Sequence, residues 1–186
     1  MNFSRTILGG ALAAALLASG ATVAWAKSLN VVASFTVLAD VVQQVGGDHV
    51  KVRSLVGPNG DPHEFEPSPD DAKNLKAADV VFVSGEGLEG WMDRLITASG
   101  YSGTPVVASE GVPTRKMQED GTTVTDPHVW NSPRSVEIWI ANIEKGLAAA
   151  DPEDAADFKA NAAKYLKVVQ DLDAYAKMKF DKVPQA

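Results

Sequence analysis

Apolar positions along this chain fall into two rhythms that alternate. Leu29–Phe35 (LNVVASF) is a continuous apolar run of strand length, the pattern of a strand covered on both faces. From Val37 to Val45 the apolar residues stand at 37, 38, 41, 42 and 45, which is helical spacing, and Gly46-Gly47 ends the run. His49–Val56 alternates as a second strand, with Val50, Val52 and Leu55 set against Lys51 and Arg53. Gly57–Pro67 is a loop dense in Gly, Pro, Asn and Asp. Ser68-Pro69-Asp70-Asp71 offers a capping hydroxyl, a proline for the first helical position and an acid at the third, so a short helix should run to about Ala78. Asp79–Val83 reads as a third strand, Leu88–Ser99 as a helix and Pro105–Ala108 as a short fourth strand.

This alternation predicts an α/β fold: a four-stranded, mostly parallel sheet sandwiched by helices, with ligands bound in the loops beyond the carboxyl ends of the strands. Residues 111–125 read as irregular and polar. Ser132-Pro133 repeats the cap-plus-proline signal and starts a helix to about Ala149. Between Pro152 and Lys182, Phe158, Ala162, Tyr165, Val169, Leu172 and Ala176 recur at steps of four and three. That seam describes a helix of about 28 residues, roughly 42 Å long, more than a lobe of this size needs. It is either a core helix with frayed ends or a connecting helix that leaves the domain to support another.

Composition narrows the function. The first 26 residues hold one charge, Arg5, then an apolar stretch from Thr6 to Leu17 and a small-residue exit at Ala24-Trp25-Ala26. They are expected to be a secretory signal peptide cleaved after Ala26, because about twelve apolar residues fall short of a bilayer span. The product is then expected to be soluble and exported, with no membrane insertion after cleavage. With 24 acidic against 17 basic residues the formal charge is −7, which argues against a nucleic-acid partner. No cysteine is present, so disulfides, thiol catalysis and thiolate-held metals are excluded. Any metal must be held by His, Asp, Glu or water.

Only three histidines are available: His49, His63 and His128. His63 lies in Gly60-Asp61-Pro62-His63-Glu64-Phe65, and His128 in Asp126-Pro127-His128-Val129-Trp130-Asn131. Both are Asp-Pro-His tripeptides with an aromatic residue two positions on and a Ser-Pro helix start within five. Proline stiffens each loop, and the aspartate can accept a backbone or imidazole hydrogen bond, the contact that orients a metal-bound ring. A single loop histidine is ordinarily a solvated side chain; two matched copies point to a metal site. His49, in a turn before a strand, is expected to be solvated. Glu64 and Glu66 read as solvated or capping carboxylates, and Trp91 and Trp139 as core. Neither Ser34 nor Ser84 has the setting of a catalytic nucleophile, and Gly85–Gly90 lacks the lysine of a phosphate-binding loop. A hydrolytic zinc site needs three protein ligands, and two stand out here, so the protein is not expected to be an enzyme.

Four segments carry a family resemblance: Val31–Phe35, GDPHEFEPSP (Gly60–Pro69), ADVVFVSGEGLEGW (Ala78–Trp91) and DPHVWNSP (Asp126–Pro133). The chain from Lys27 to Ala186 resembles the zinc- and manganese-binding solute-binding proteins of ABC metal-uptake transporters. The resemblance implies two α/β lobes joined by a long helix, with a transported Zn2+ or Mn2+ between them and an ABC permease as partner. The two histidines of the N-terminal lobe map onto His63 and His128; the other ligands, a His or Glu and an Asp, come from the C-terminal lobe. The expected organisation is a leader over 1–26, a metal-binding lobe over 27–150 and a connecting helix over 151–183, with the second lobe absent. Thr114–Thr125 also lacks the histidine-rich loop of many zinc-specific members, which favours manganese or a plain zinc site. A metal-dependent adhesion or interaction module on the same fold is the alternative from a different functional class.

Overall fold

The computed structural model describes residues 28–184. The signal peptide expected over 1–26 lies outside the described residues. Strand β1 (Leu29–Phe35) leads into helix α1 (Thr36–Gly46), then β2 (Val50–Val56), α2 (Pro69–Lys76), β3 (Val80–Val83), α3 (Met92–Ser99) and β4 (Val106–Val107). These strands form one parallel sheet in the order β2-β1-β3-β4. The register pairs Val31 with Val52 on one side of β1 and with Val80 on the other. The burial pattern follows position in the sheet. All four residues of β3 and six of the seven in β1 are buried, whereas the edge strand β2 alternates through its middle. The continuous apolar runs thus become the central strands, whose two faces are both covered.

Helices α1, α4 (Pro133–Ala150) and α5 (Ala155–Phe180) pack against one another, and α2 packs against α3. Right-handed β–α–β crossovers place these two groups on opposite faces of the sheet. Leu38, Val41, Val42 and Val45 of α1 meet Trp139, Ile143 and Leu147 of α4 and Phe158 and Val169 of α5 in the main core. Helix α2 starts as the sequence predicts: the Ser68 hydroxyl accepts from the Asp71 N–H, and the Asp71 carboxylate accepts from the Ser68 N–H, a reciprocal capping box.

Three local expectations need correction. Residues Lys116–Glu119 (β5) and Thr122–Thr125 (β6) form an antiparallel hairpin instead of an irregular loop. Its turn, Asp120-Gly121, has φ of 48° and 77°, the two positive values that a two-residue type I′ turn requires. Helix α3 begins at Met92, four residues later than the spacing suggests, because Gly85, Glu86 and Gly87 all take positive φ and lead into turns through Trp91. Ser132 precedes α4 but its hydroxyl makes no capping bond.

Helix α5 runs for 26 residues, about 39 Å. It is seated on the lobe as far as Val169, through Phe158, Ala162 and Val169. Beyond Val169 the seam residue Leu172 is 56% exposed, and its neighbours off the seam, Tyr175 and Phe180, are 54% and 70% exposed. No helix among the described residues is long and apolar enough to cross a membrane.

Candidate metal centre

The two Asp-Pro-His loops lie 65 residues apart in sequence and meet beyond the carboxyl end of the sheet. The Nε2 atoms of His63 and His128 stand 3.3 Å apart, with ring centroids separated by 5.2 Å. Both tripeptides fold in the same way. The Oδ1 of Asp61 accepts the His63 backbone N–H at 2.8 Å, and the Oδ1 of Asp126 accepts that of His128 at 3.0 Å. Each is an Asx turn on a proline-stiffened loop, and it holds the histidine backbone rigid relative to the aspartate.

The second copy has further support. Asp126 Oδ1 also lies 2.9 Å from His128 Nδ1, and its Oδ2 accepts from Arg115 Nε at 2.7 Å. Asp126 is only 7% exposed, and its carboxyl is lowered to about 2 by the His128 backbone N–H first, then by the His128 ring and Arg115. A carboxylate that stays ionised there keeps the proton on Nδ1 and leaves the Nε2 lone pair of His128 facing His63. An aromatic column backs the ring. His128 packs on Trp130 (5.3 Å between centroids), and Trp130 on Phe35 at the end of β1 (4.9 Å).

The His63 loop is fastened from outside. Trp91 is 2% exposed, and its indole N–H donates to the Pro62 carbonyl at 2.8 Å while its ring meets Phe65. Both tryptophans read as core, Trp91 and Trp139, are buried; Trp91 in addition positions a candidate ligand. Glu64 and Glu66 are exposed, as expected. Asn59, Gly60, Pro62 and Trp130 complete a cavity of about 460 Å³ around the two imidazoles.

His49 is not solvated. Its Nδ1 lies 2.7 Å from Asp154 Oδ2 and its Nε2 3.2 Å from Asp157 Oδ2, and its ring meets the edge of Phe158. The ring therefore ties the entry of β2 to the first turn of α5. Among the described residues, His49, Asp154 and Asp157 also form the one cluster of three or more His, Asp or Glu ligand atoms close enough to share an ion.

Sequence reasoning missed Arg115, which sits in the segment read as irregular, and Glu89. The Glu89 carboxylate accepts from the Ser34 hydroxyl at 2.6 Å and from the N–H groups of Ser84 and Gly85 at 2.7 and 3.1 Å, and so binds the ends of β1 and β3 together. Asp-Gly between two runs of four was a usable hairpin signal; nothing local announced the role of Glu89.

Residues 31–186 match the family model described as zinc-uptake complex component A, periplasmic. The manganese-binding lipoprotein MntA of Bacillus subtilis is 36% identical over 163 residues, 86% of this chain and 52% of that protein. The iron-binding protein YfeA of Yersinia pestis is 30% identical, over 86% of this chain and 51% of its own length. Among solved structures, the Mn-bound periplasmic metal-binding protein of Candidatus Liberibacter asiaticus superposes with a TM-score of 0.77 at 27% identity, over 84% of this chain and 59% of that one. A zinc-bound ZnuA with residues 138–173 deleted gives 0.79 at 29% identity, over 85% and 60%. The chain spans about half the length of the curated relatives it matches. With the family model covering nearly all the described residues and the same fold in its metal-binding neighbours, the chain belongs to the family of the periplasmic component A of zinc-uptake complexes.

Proposed function

We propose that this chain captures Zn2+ or Mn2+ in the periplasm for delivery to an ABC-transporter permease, and that His63 and His128 are its metal ligands. The observation that carries the reading is the 3.3 Å between the two Nε2 atoms. Two Zn–N bonds of about 2.0–2.1 Å at a tetrahedral angle subtend about 3.3–3.4 Å, so one ion fits between the nitrogens with little rearrangement. Relatives named for manganese, zinc and iron support a transported divalent ion in place of a resident cofactor. The exposed half of α5 supports a connecting helix over 151–183 that leaves the lobe over 27–150, with further ligands supplied by a second lobe.

Two imidazoles give a partial site. Halving the roughly 10–16 kcal/mol of a complete zinc site leaves about 5–8 kcal/mol, a Kd between about 1 µM and 0.1 mM. Calorimetric titration of the purified chain with Zn2+ and with Mn2+ tests this. His63→Ala and His128→Ala each abolish most of the binding, which also weakens on acidification as protons compete for the imidazoles. Binding retained in both variants, or lost on Asp154→Asn instead, would place the ion at the His49 cluster and overturn the assignment.

A further inference from the structure

A second cavity of about 460 Å³ is lined by His128 but not by His63. Its polar lining carries two arginines against one carboxylate. Arg115 and Arg134 both face it, and both guanidinium groups are largely exposed. Asp126, the one carboxylate in the lining, is already engaged by Arg115 and His128. Arg134 has only a long contact to Asp173, 3.8 Å from Nε. Three neutral donors join them: the Asn131 amide and the hydroxyls of Ser132 and Ser135. Among the described residues none of these three side chains has a hydrogen-bond partner.

Ser135 decides the reading. It is 91% buried in the first turn of the eighteen-residue helix α4, yet its hydroxyl lines the cavity without a partner. The Ser135 oxygen is not among the fully enclosed polar atoms of the described residues, so it can be reached from the cavity, beside two arginines. The positive end of the helix macrodipole adds to the attraction for an anion. Paired guanidinium forks match carboxylate and phosphate oxygens. Pro113, Val129 and Ile138 supply apolar wall, and the volume exceeds that of a bare inorganic oxyanion. An anion with a hydrocarbon part fits both.

We propose that this cavity binds a small organic polycarboxylate, with one carboxylate held between Arg115 and Arg134 and accepting from the Ser132 and Ser135 hydroxyls. Because His128 lines this cavity and the one beside His63, the bound anion stands next to the proposed metal ligands.

The test is calorimetric titration of the metal-free chain with citrate, succinate and inorganic phosphate, so it stands whichever way the metal titrations fall. Saturable citrate binding is expected, tighter than phosphate and weakening as salt is raised. Arg134→Gln should weaken it about tenfold and Ser135→Ala severalfold, the scale of hydrogen bonds to a charged group. Lys179→Ala, which removes a cation from the last turn of α5, should leave citrate binding unchanged. Far-UV circular dichroism checks that each variant is folded. Ser135→Ala removes only a hydroxyl, so it carries the test if Arg134→Gln does not fold. No saturable citrate binding, or binding indifferent to both cavity variants, would overturn the proposal. Phosphate binding as tightly as citrate would overturn the organic assignment and leave a simple oxyanion site.

Discussion

The two Asp-Pro-His loops share a tripeptide and an Asx turn but differ in what holds the ring. His128 is gripped at Nδ1 by Asp126, which Arg115 holds in turn, and its face rests on Trp130. His63 is exposed, and among the described residues its ring makes a polar or ring contact with His128 alone. Its loop, by contrast, is the one pinned to the core, through Trp91 and Phe65. One proposed ligand is thus fixed at the side chain and the other only at the backbone. A ring that can still turn adapts to ions of different radius, while the fixed ring sets where the ion sits.

The largest expected effect concerns the pinned loop. Trp91→Ala should cost about 3–5 kcal/mol of stability by opening a cavity in the core, read by urea denaturation. Trp91→Phe should keep most of the packing, lose about 1 kcal/mol with the Pro62 hydrogen bond, and loosen His63. If Trp91→Phe leaves both stability and metal affinity unchanged, the loop is held by something other than the indole.

Next comes the pair of aspartates. Asp126→Asn should weaken metal binding about tenfold, since it removes the charge that orients His128 and leaves an amide against Arg115. Asp61→Asn should change affinity less than about threefold, because an asparagine carbonyl can still accept the His63 N–H. Equal losses in the two variants would show that the loops are equivalent and the comparison empty.

The smallest effect is on acid stability. The Asp126 carboxyl is held at about 2 in the folded chain against an ordinary 3.8. It therefore contributes stability above about pH 3.8 that is lost as pH falls toward 2. Denaturation midpoints measured across that range should fall for the wild type and fall less for Asp126→Asn. Identical acid limbs would mean that the bonds from His128 and Arg115 persist equally in the unfolded chain.

How much of this was legible beforehand depended on the distance over which each cause acts. β1 and β3 could be read directly, because a strand covered on both faces must be apolar at every position, and the Ser68–Asp71 cap is complete within four residues. The meeting of His63 and His128 was suggested by the repetition of a tripeptide and by the family resemblance, not by any periodic pattern. His49 was misread because its partners, Asp154 and Asp157, lie more than a hundred residues away, and nothing around Asp48 or Val50 reports them. Ser132 was misread for the opposite reason: its local pattern is that of a cap, yet Ser132 faces the arginine-lined cavity with its hydroxyl free. Arg115 and Glu89 act across the fold and leave no periodic trace.

The three hydrogen bonds that Glu89 accepts have a kinetic consequence. They lock the outgoing ends of the two central strands, and from Ser34 the chain passes directly to Phe35, whose ring supports Trp130 and, through it, His128. The scaffold under the fixed imidazole is thus held by contacts within the lobe itself, with no ion needed to make them. Little ordering entropy then has to be spent at His128 at the moment of encounter, so capture at this half of the proposed site should run at a rate set by diffusion, by loss of water from the ion and by turning of the His63 ring.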